Sequence, residues 1–343
     1  MIKPMFSIIV PVYNRPQEVD ELLESLCHQE EKDFEVVIVE DGSAVDCKSV
    51  CNKHIELGTL DIKYFFKDNS GPGPSRNYGA ERANGEYLLI LDSDVVVPKE
   101  YLKNIKTALQ KERLDAFGGP DCAHKDFSNI QKAISYAMTS FFTTGGIRGG
   151  KKKLDKFYPR SFNLGVRKDV FESLNGFSAM RFGEDIDFSI RIYKNGYSCG
   201  LISEAWVWHK RRATFKQFFK QVHNSGIARI ALYQKYPDSL KLVHLLPTVF
   251  TLGVIGLVIV AIFGFILKNN WLIICPLALL VLYCLLLFID STIQNKSLKV
   301  GLLSIVAGFV QLFSYGTGFL RAIWHNLILK KTDFQAFRKT FYK

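Results

Sequence analysis

The stretch GEYLLILDSDVVVP, residues 85–98, runs an apolar segment that reads as a buried strand straight into Asp92-Ser93-Asp94. Two carboxylates one residue apart at the end of such a strand repel each other and lose water, so a compensating charge is required. A divalent cation is the expected one.

Working outward, residues 6–12 (FSIIVPV) form a β-rich run, and residues 15–28 an amphipathic helix with Val19, Leu22, Leu23 and Leu26 at helical spacing. FEVVIVEDGS follows, an apolar run closed by the turn signal Glu40-Asp41-Gly42-Ser43. Residues 61–66 make another strand, then the loop DNSGPGPSRN, then a short helix to Ala83. Strand, helix, strand, helix, strand is the pattern of a parallel α/β sheet with helices on both faces. Ligands of such sheets collect beyond the C-terminal strand ends, so Asn14, Asp41, Asp92 and Asp94 are expected to meet in one crevice. Further on, 162–167 reads as a strand, 169–174 and 185–195 as helices, and Trp206–Trp208 as a strand ending at His209; GGIRGGKKK (145–153) reads as a mobile basic loop.

The C-terminal third differs in composition. From Lys241 onward there are ten Lys and Arg against Asp290 and Asp333, a balance of +8 out of the chain's +11. Three charge-free runs (247–267, 271–289 and 300–320) are each about the roughly 20 residues that a helix needs to cross a bilayer. Trp271, Tyr283, Trp324 and flanking Lys and Arg look like interfacial anchors. The third run carries Gln311, Ser314 and Gly316-Thr317-Gly318, which leaves a re-entrant reading open. Three full crossings would place Lys330, Lys331, Arg338 and Lys339 outside, against the positive-inside tendency. Basic residues that flank apolar spans argue for anionic lipid headgroups and against nucleic acid as partner. Residues 211–236, with Phe215, Phe218, Phe219 and Val222 among lysines, suit a helix on a membrane surface, with a plain solvated helix as the other reading. The seven scattered cysteines imply neither a zinc site nor a disulfide framework. The short apolar run at the N-terminus is no signal peptide, so the expectation is a multi-pass protein of the inner (plasma) membrane with its catalytic part in the cytoplasm.

VPVYN, VEDGS, GPGPSRNYGAERANGEYLLILDSD, SFNLGVRKDVF and GEDIDFSIRIYKNGY, in this order, resemble the signature set of family 2 glycosyltransferases, over roughly residues 5–235. The resemblance implies the GT-A nucleotide-diphospho-sugar transferase fold, a Rossmann-like mixed sheet with helices on both faces, here followed by transmembrane helices. The domains are then 1–240 for catalysis, 241–329 for the membrane and 330–343 as a basic tail.

The resemblance assigns Asp94 to a Mg2+ or Mn2+ ion and Asp92 to the donor ribose or, through water, to the metal. Hard oxygen ligands suit those ions, and a metal offsets charge on a departing diphosphate. Asp41 is carried over as a base or ribose contact, with capping of the next turn as its structural alternative; Glu40 replaces the family's usual first Asp. Arg76 and Asn77 are assigned to the donor pocket with Pro11, Tyr13, Asn14 and Ser93. An ion pair with Asp41 or Asp92 is the other reading of Arg76, and a core position that of Tyr13. Asp185 is implied as the base that deprotonates the acceptor and Glu184 as an acceptor contact, although acidic residues also cap helix starts. His209 stands either as a metal ligand or as a neighbour of the site, and Lys210, Arg211 and Arg212 either on the diphosphate or on lipid. The Gln-x-x-Arg-Trp motif of processive synthases is absent.

The implied reaction is inverting transfer from a nucleotide-sugar donor, with UDP favoured by family frequency alone, to a hydroxyl of a lipid-linked or cell-surface glycan acceptor. A polyprenyl-phosphate sugar transferase is the rival enzyme and a nucleotide-binding membrane scaffold the rival without catalysis. A sugar-nucleotide pyrophosphorylase would show a Gly-rich, Arg-containing loop after the first strand, which VPVYNRPQ does not supply.

Overall fold

The computed structural model describes residues 3–122, 127–145, 157–180 and 182–330. Most of the basic loop at 145–153 and of the tail at 330–343 therefore lies outside the described residues. The chain divides into two compact units, one within Met1–His124 and Asp155–Lys210, the other within Lys125–Leu154 and Arg211–Lys343. This division departs from the expected boundary at residue 240, because the helix after residue 211 groups with the apolar helices, as does the segment around residues 127–145.

The first unit opens with β1 (Phe6–Val12), α1 (Pro16–Cys27), β2 (Phe34–Asp41), α2 (Lys48–Glu56), β3 (Ile62–Lys67), α3 (Pro72–Arg82) and β4 (Tyr87–Leu91). It continues with β5 (Val95–Val96), α4 (Tyr101–Lys111), β6 (Ala116–Gly118) and β7 (Asp121–Cys122). After α5 (Asn129–Thr139) and α6 (Phe141–Thr144) of the second unit come β8 (Asn163–Arg167), α7 (Lys168–Ser173), α8 (Glu184–Lys194), β9 (Cys199–Leu201) and β10 (Val207–His209). Seven strands form the main sheet in the order β3-β2-β1-β4-β8-β6-β9, parallel except where β8 runs against β4 and β6. This is the mixed sheet expected of a GT-A fold.

Every residue of β2 and β4 is buried, as a sheet covered on both faces demands. Alternate side chains feed two cores. Ile8, Val10, Ile38 and Leu89 pack with Leu22, Leu26 and Ile105 on one face. Ile9, Val37, Val39, Leu88 and Ile90 pack with Ala80, Phe171 and Phe188 on the other.

The segment expected as a loop through Asn77 is helical from Pro72. Pro72 and Pro74 fill positions whose N–H groups have no intrahelical acceptor, so the prolines start the helix and do not delay it. Gly79 of α3 lies against the sheet, where a β-carbon would approach Ile9 Cγ2 to 2.6 Å and Val39 Cγ2 to 3.2 Å. A second sheet orders β5-β10-β7, with His209 opposite Val95.

In the second unit, α9 (Phe215–Lys235) precedes three long apolar helices, α10 (Leu246–Ile266), α11 (Asn270–Asn295) and α12 (Leu298–Ala322), the last continuing as a π-turn over Ile323–Ile328. All three are long and apolar enough to cross a membrane. The run suspected of being re-entrant is one uninterrupted helix.

Gly79→Ala is expected to lower stability by about 1–3 kcal/mol through overpacking. Gly253→Ala, where the added methyl meets nothing within 4 Å, serves as the control. Thermal unfolding in detergent checks this.

Candidate active site

β4 ends at Leu91, and Asp92, Ser93 and Asp94 follow directly at its C-terminal end. The β5–β10 register sets His209 beside Asp94: its Nε2 lies 3.2 Å from Asp94 Oδ1, and its ring stacks on Phe162 at 4.9 Å between centroids. One ligand atom each from Asp92, Asp94 and His209 fall within 4.8 Å of one another. The guanidinium of Arg15, at the start of α1, pairs with the other oxygen of Asp94. Arg76 donates to Asp92 at 2.9 Å and to Glu184 at 2.8 Å, and its guanidinium lies 5.4 Å from the centre of the Phe177 ring.

In this structure, therefore, the repulsion between Asp92 and Asp94 is relieved by three protein cations, Arg15, Arg76 and His209. Burial works to lower the His209 pKa, but the carboxylates of Asp94 and, further off, Asp121 override it and raise the imidazole to about 9. Arg76 is buried, yet its two carboxylates keep it protonated. Burial pushes the Glu184 carboxyl up to about 7, with Arg76 pulling the other way and Asp185 adding to the rise.

Two carboxylates and an imidazole are a suitable donor set for Mg2+ or Mn2+. His209 Nδ1 is buried without a hydrogen-bond partner, the nearest carboxylate being that of Asp121 at 3.8 Å, and a proton on Nε2 competes with a cation for the same lone pair. The three residues therefore fit a divalent ion.

The remaining expected residues divide into those facing this cluster and those spent on the scaffold. Glu184 belongs to the cluster through Arg76, which donates to its Oε1. Asp185, one residue on at the start of α8, is partly exposed and has Arg160 at 3.4 Å; its Oδ1 accepts from the Ile186 N–H. Asp41 is buried and accepts from Lys67 Nζ (2.6 Å), the Ser70 N–H (2.9 Å) and the Gly71 N–H (2.8 Å). Those three bonds occupy most of the carboxylate's lone pairs, so Asp41 fixes the loop ahead of α3 and has one position left for a ligand. Pro11 sits on β1 opposite Val39, Tyr13 is partly buried just beyond that strand, and Ser93 is buried between the two aspartates.

Asn77 and Asn14 depart from their expected roles. Asn77 accepts from the Phe177 N–H at 2.8 Å and donates to the Phe177 carbonyl at 2.9 Å, which spends both ends of its amide on one backbone residue. Asn14, at φ 53°, accepts from the N–H groups of Ala44 and Val45 and ties the β1 loop to the β2 loop. Glu40 likewise accepts from Ser43 Oγ and from the Cys47 N–H, so it caps the start of α2. Lys210 pairs with Glu21 at 2.5 Å. The sequence reading missed Arg15, Arg160, Phe162 and Asp121 as site residues; Phe162 lies inside the motif SFNLGVRKDVF and Arg15 directly follows VPVYN, whereas Arg160 and Asp121 lie in no motif.

Residues 7–174 match the model of glycosyl transferase family 2. The chain thus carries a family 2 glycosyltransferase domain of GT-A type, followed by three long apolar helices. Among individual proteins it is similar to the poly(ribitol-phosphate) beta-N-acetylglucosaminyltransferase TarS of Staphylococcus aureus, with 35% identity over 112 residues, 32% of this chain and 20% of TarS. It is also similar to the GalNAc(5)-diNAcBac-PP-undecaprenol beta-1,3-glucosyltransferase of Campylobacter jejuni, with 30% identity over 134 residues, 38% of this chain and 42% of that protein. The matched stretch thus spans less than half the length of either relative. In three dimensions it resembles the mannosyltransferase PcManGT of Pyrobaculum calidifontis, solved with GDP-Man and Mn2+, at a TM-score of 0.58 and 16% identity over 95% of this chain and 88% of that one. That likeness establishes the shared fold.

Asn77→Ala is expected to lower stability by about 1–3 kcal/mol, because it leaves the backbone polar groups of Phe177 without partners. Nucleotide affinity of the folded protein should stay near the wild-type value. Thermal melts paired with nucleotide titration separate this scaffold role from donor contact.

Proposed function

We propose that the protein is an inverting glycosyltransferase that moves a sugar from a nucleotide-diphospho-sugar, with UDP as its nucleotide, to a hydroxyl of a lipid-linked or cell-surface glycan. The observation that carries this reading is the cluster of Asp92, Asp94 and His209 joined through Arg76 to Glu184, the neighbour of Asp185. It connects a candidate donor site to a candidate base by two charge-assisted hydrogen bonds.

In this scheme the donor's nucleoside settles between the β1 and β2 loops, with Tyr13 and Pro11 along the base and Asp41 on base or ribose. Asp92, Asp94 and His209 would hold Mg2+ or Mn2+, which when bound offsets negative charge gathering on the departing diphosphate. Arg15 and Arg76, paired with Asp94 and Asp92, would add fixed positive charge to the same site. Glu184 positions Arg76. Asp185 accepts the proton of the acceptor hydroxyl as its oxygen attacks the anomeric carbon, and Arg160 orients that carboxylate. One displacement breaks the bond to the diphosphate on the opposite face and inverts the configuration, with no covalent enzyme intermediate.

The acceptor class rests on the apolar helices and on the relatives. One of these acts on an undecaprenol-linked glycan and another on poly(ribitol-phosphate), by their names. An enzyme anchored in the plasma membrane with its catalytic unit in the cytoplasm is confined beside such acceptors, which raises their effective concentration.

Asp185→Asn is expected to lower turnover by about 10²–10⁴-fold with nucleotide binding retained, the range for loss of a general base. Asp94→Ala should instead lose divalent-cation-dependent donor binding. Rates of nucleoside diphosphate release together with calorimetric donor titrations check both; an Asp185→Asn enzyme with wild-type turnover would remove the base from this scheme.

A further inference from the structure

The third apolar helix has the length of a membrane span, yet its contacts follow α11 only as far as its middle and then cross to the first turns of α10. α10 and α11 are antiparallel and joined through residues 267–269, where Gly264 packs on Leu272. The open end of the hairpin therefore holds the first residues of α10 and the last of α11, and Asp290 marks it with a carboxylate bonded to Tyr136 at 2.6 Å.

Along α12 the partners come in sequence. A β-carbon on Gly301 would touch Thr292 and the Phe288 carbonyl; Ser304 Oγ lies 2.7 Å from Ser291 Oγ; Gly308 abuts Leu287. The Phe309 ring meets both Phe250 and Tyr283 at 5.7 Å. Thr251 Oγ1 then lies 3.4 Å from the Leu312 carbonyl, and Gly316 abuts Thr251 and the Pro247 carbonyl.

Between Gly301 and Gly316 a helix advances about 22 Å, at 1.5 Å per residue. A span antiparallel to α11 would by then have passed the middle of that helix. Instead, once Phe309 has met Tyr283 midway along α11, the contacts turn to Thr251 and Pro247 in the first turns of α10, back toward the open end.

A second observation is independent of the first. α9 lies against the far half of α12 at backbone contact: a β-carbon on Gly226 would fall 2.3 Å from the Tyr315 carbonyl, and one on Gly318 would fall 2.1 Å from the His223 carbonyl. His223 faces Thr317 at 3.2 Å, and Asn326 faces Gln234 at 3.3 Å. α9 carries Lys216, Lys220, Arg229 and Lys235, which hydrocarbon would expel.

We infer that α12 lies in the plane of the membrane interface, across the open end of a two-helix hairpin, and that the chain crosses the bilayer twice. Its exposed side, Leu302 and Val306 with Phe309 and Phe313, continues onto Phe219 of α9 as one apolar surface that rests on acyl chains, and the lysines of α9 face headgroups. The partner of this surface is the bilayer itself. The arrangement returns the chain at Lys330 to the side of α9 and removes the charge conflict that three crossings create. It holds whatever reaction the first unit catalyses.

The test uses the full chain with short epitope tags at the N-terminus, after Lys268 and at the C-terminus, in sealed vesicles of both orientations. The N- and C-terminal tags are expected to be cleaved together and the Lys268 tag in the opposite orientation. A C-terminal tag that follows the Lys268 tag, or one that appears on both sides, overturns the inference. Spin labels at Leu302 and Phe313 add a direct measure. The inference expects them at equal depth, whereas a spanning helix would separate them by roughly 16 Å.

Discussion

The guanidinium of Arg76 is shared by two carboxylates that lie far apart in the chain, Asp92 after β4 and Glu184 at the head of α8. Because Arg76 is buried, losing both carboxylates would leave it uncompensated in a poorly solvated place, a loss of several kcal/mol by analogy with other buried pairs. The phenyl ring of Phe177 flanks it, and Asn77 holds the backbone of that residue on both its N–H and its carbonyl. The donor side and the acceptor side of the candidate site are therefore tied together by one cation whose surroundings are themselves fixed. Arg15 and His209 do the same for Asp94 from two further elements, α1 and β10. A site of this kind brings acidic groups close at little cost while protein cations balance them, and it gives a metal–diphosphate complex opposing charges already in position.

Much of the fold was readable because its signals are local. The continuous apolar runs of β1, β2 and β4, the spacing of Val19, Leu22, Leu23 and Leu26, and the Asp-Gly turn after β2 each follow from a few adjacent residues. Some elements were not read: α2 carries few apolar residues per turn, β5, β6 and β7 have two or three residues each, and α4 was passed over although Leu102, Ile105 and Leu109 stand at helical spacing. The helix at Pro72 was read as loop because prolines and glycines usually signal a turn, whereas here they occupy a helix's first positions.

The candidate site shows a sharper divide. Asp92, Asp94, Glu184 and Asp185 stand in acidic motifs that are conspicuous in sequence. Arg15, Arg160 and Asp121 owe their places to tertiary approach, and Asp121 reaches His209 because β7 and β10 are neighbours in the small sheet. Nor could sequence distinguish Asn77 and Asn14 as clamps, since an amide that binds a ligand and one that binds backbone look alike until their partners are seen. The apolar runs present the same problem on a larger scale. Hydropathy measures the length of a helix but not its direction, and the glycines of α12 acquire meaning only from the backbones of α9 and α10 that press against them.

The claim at the centre of this account is that the acidic cluster holds a divalent cation so that a sugar can leave its diphosphate. The most direct measurement is nucleoside diphosphate release by the intact protein, from a panel of sugar nucleotides with native membrane lipids as acceptors, before and after exhaustive chelation. The account predicts release that disappears on chelation and returns when Mg2+ or Mn2+ is restored. Undiminished release from the chelated protein would contradict it.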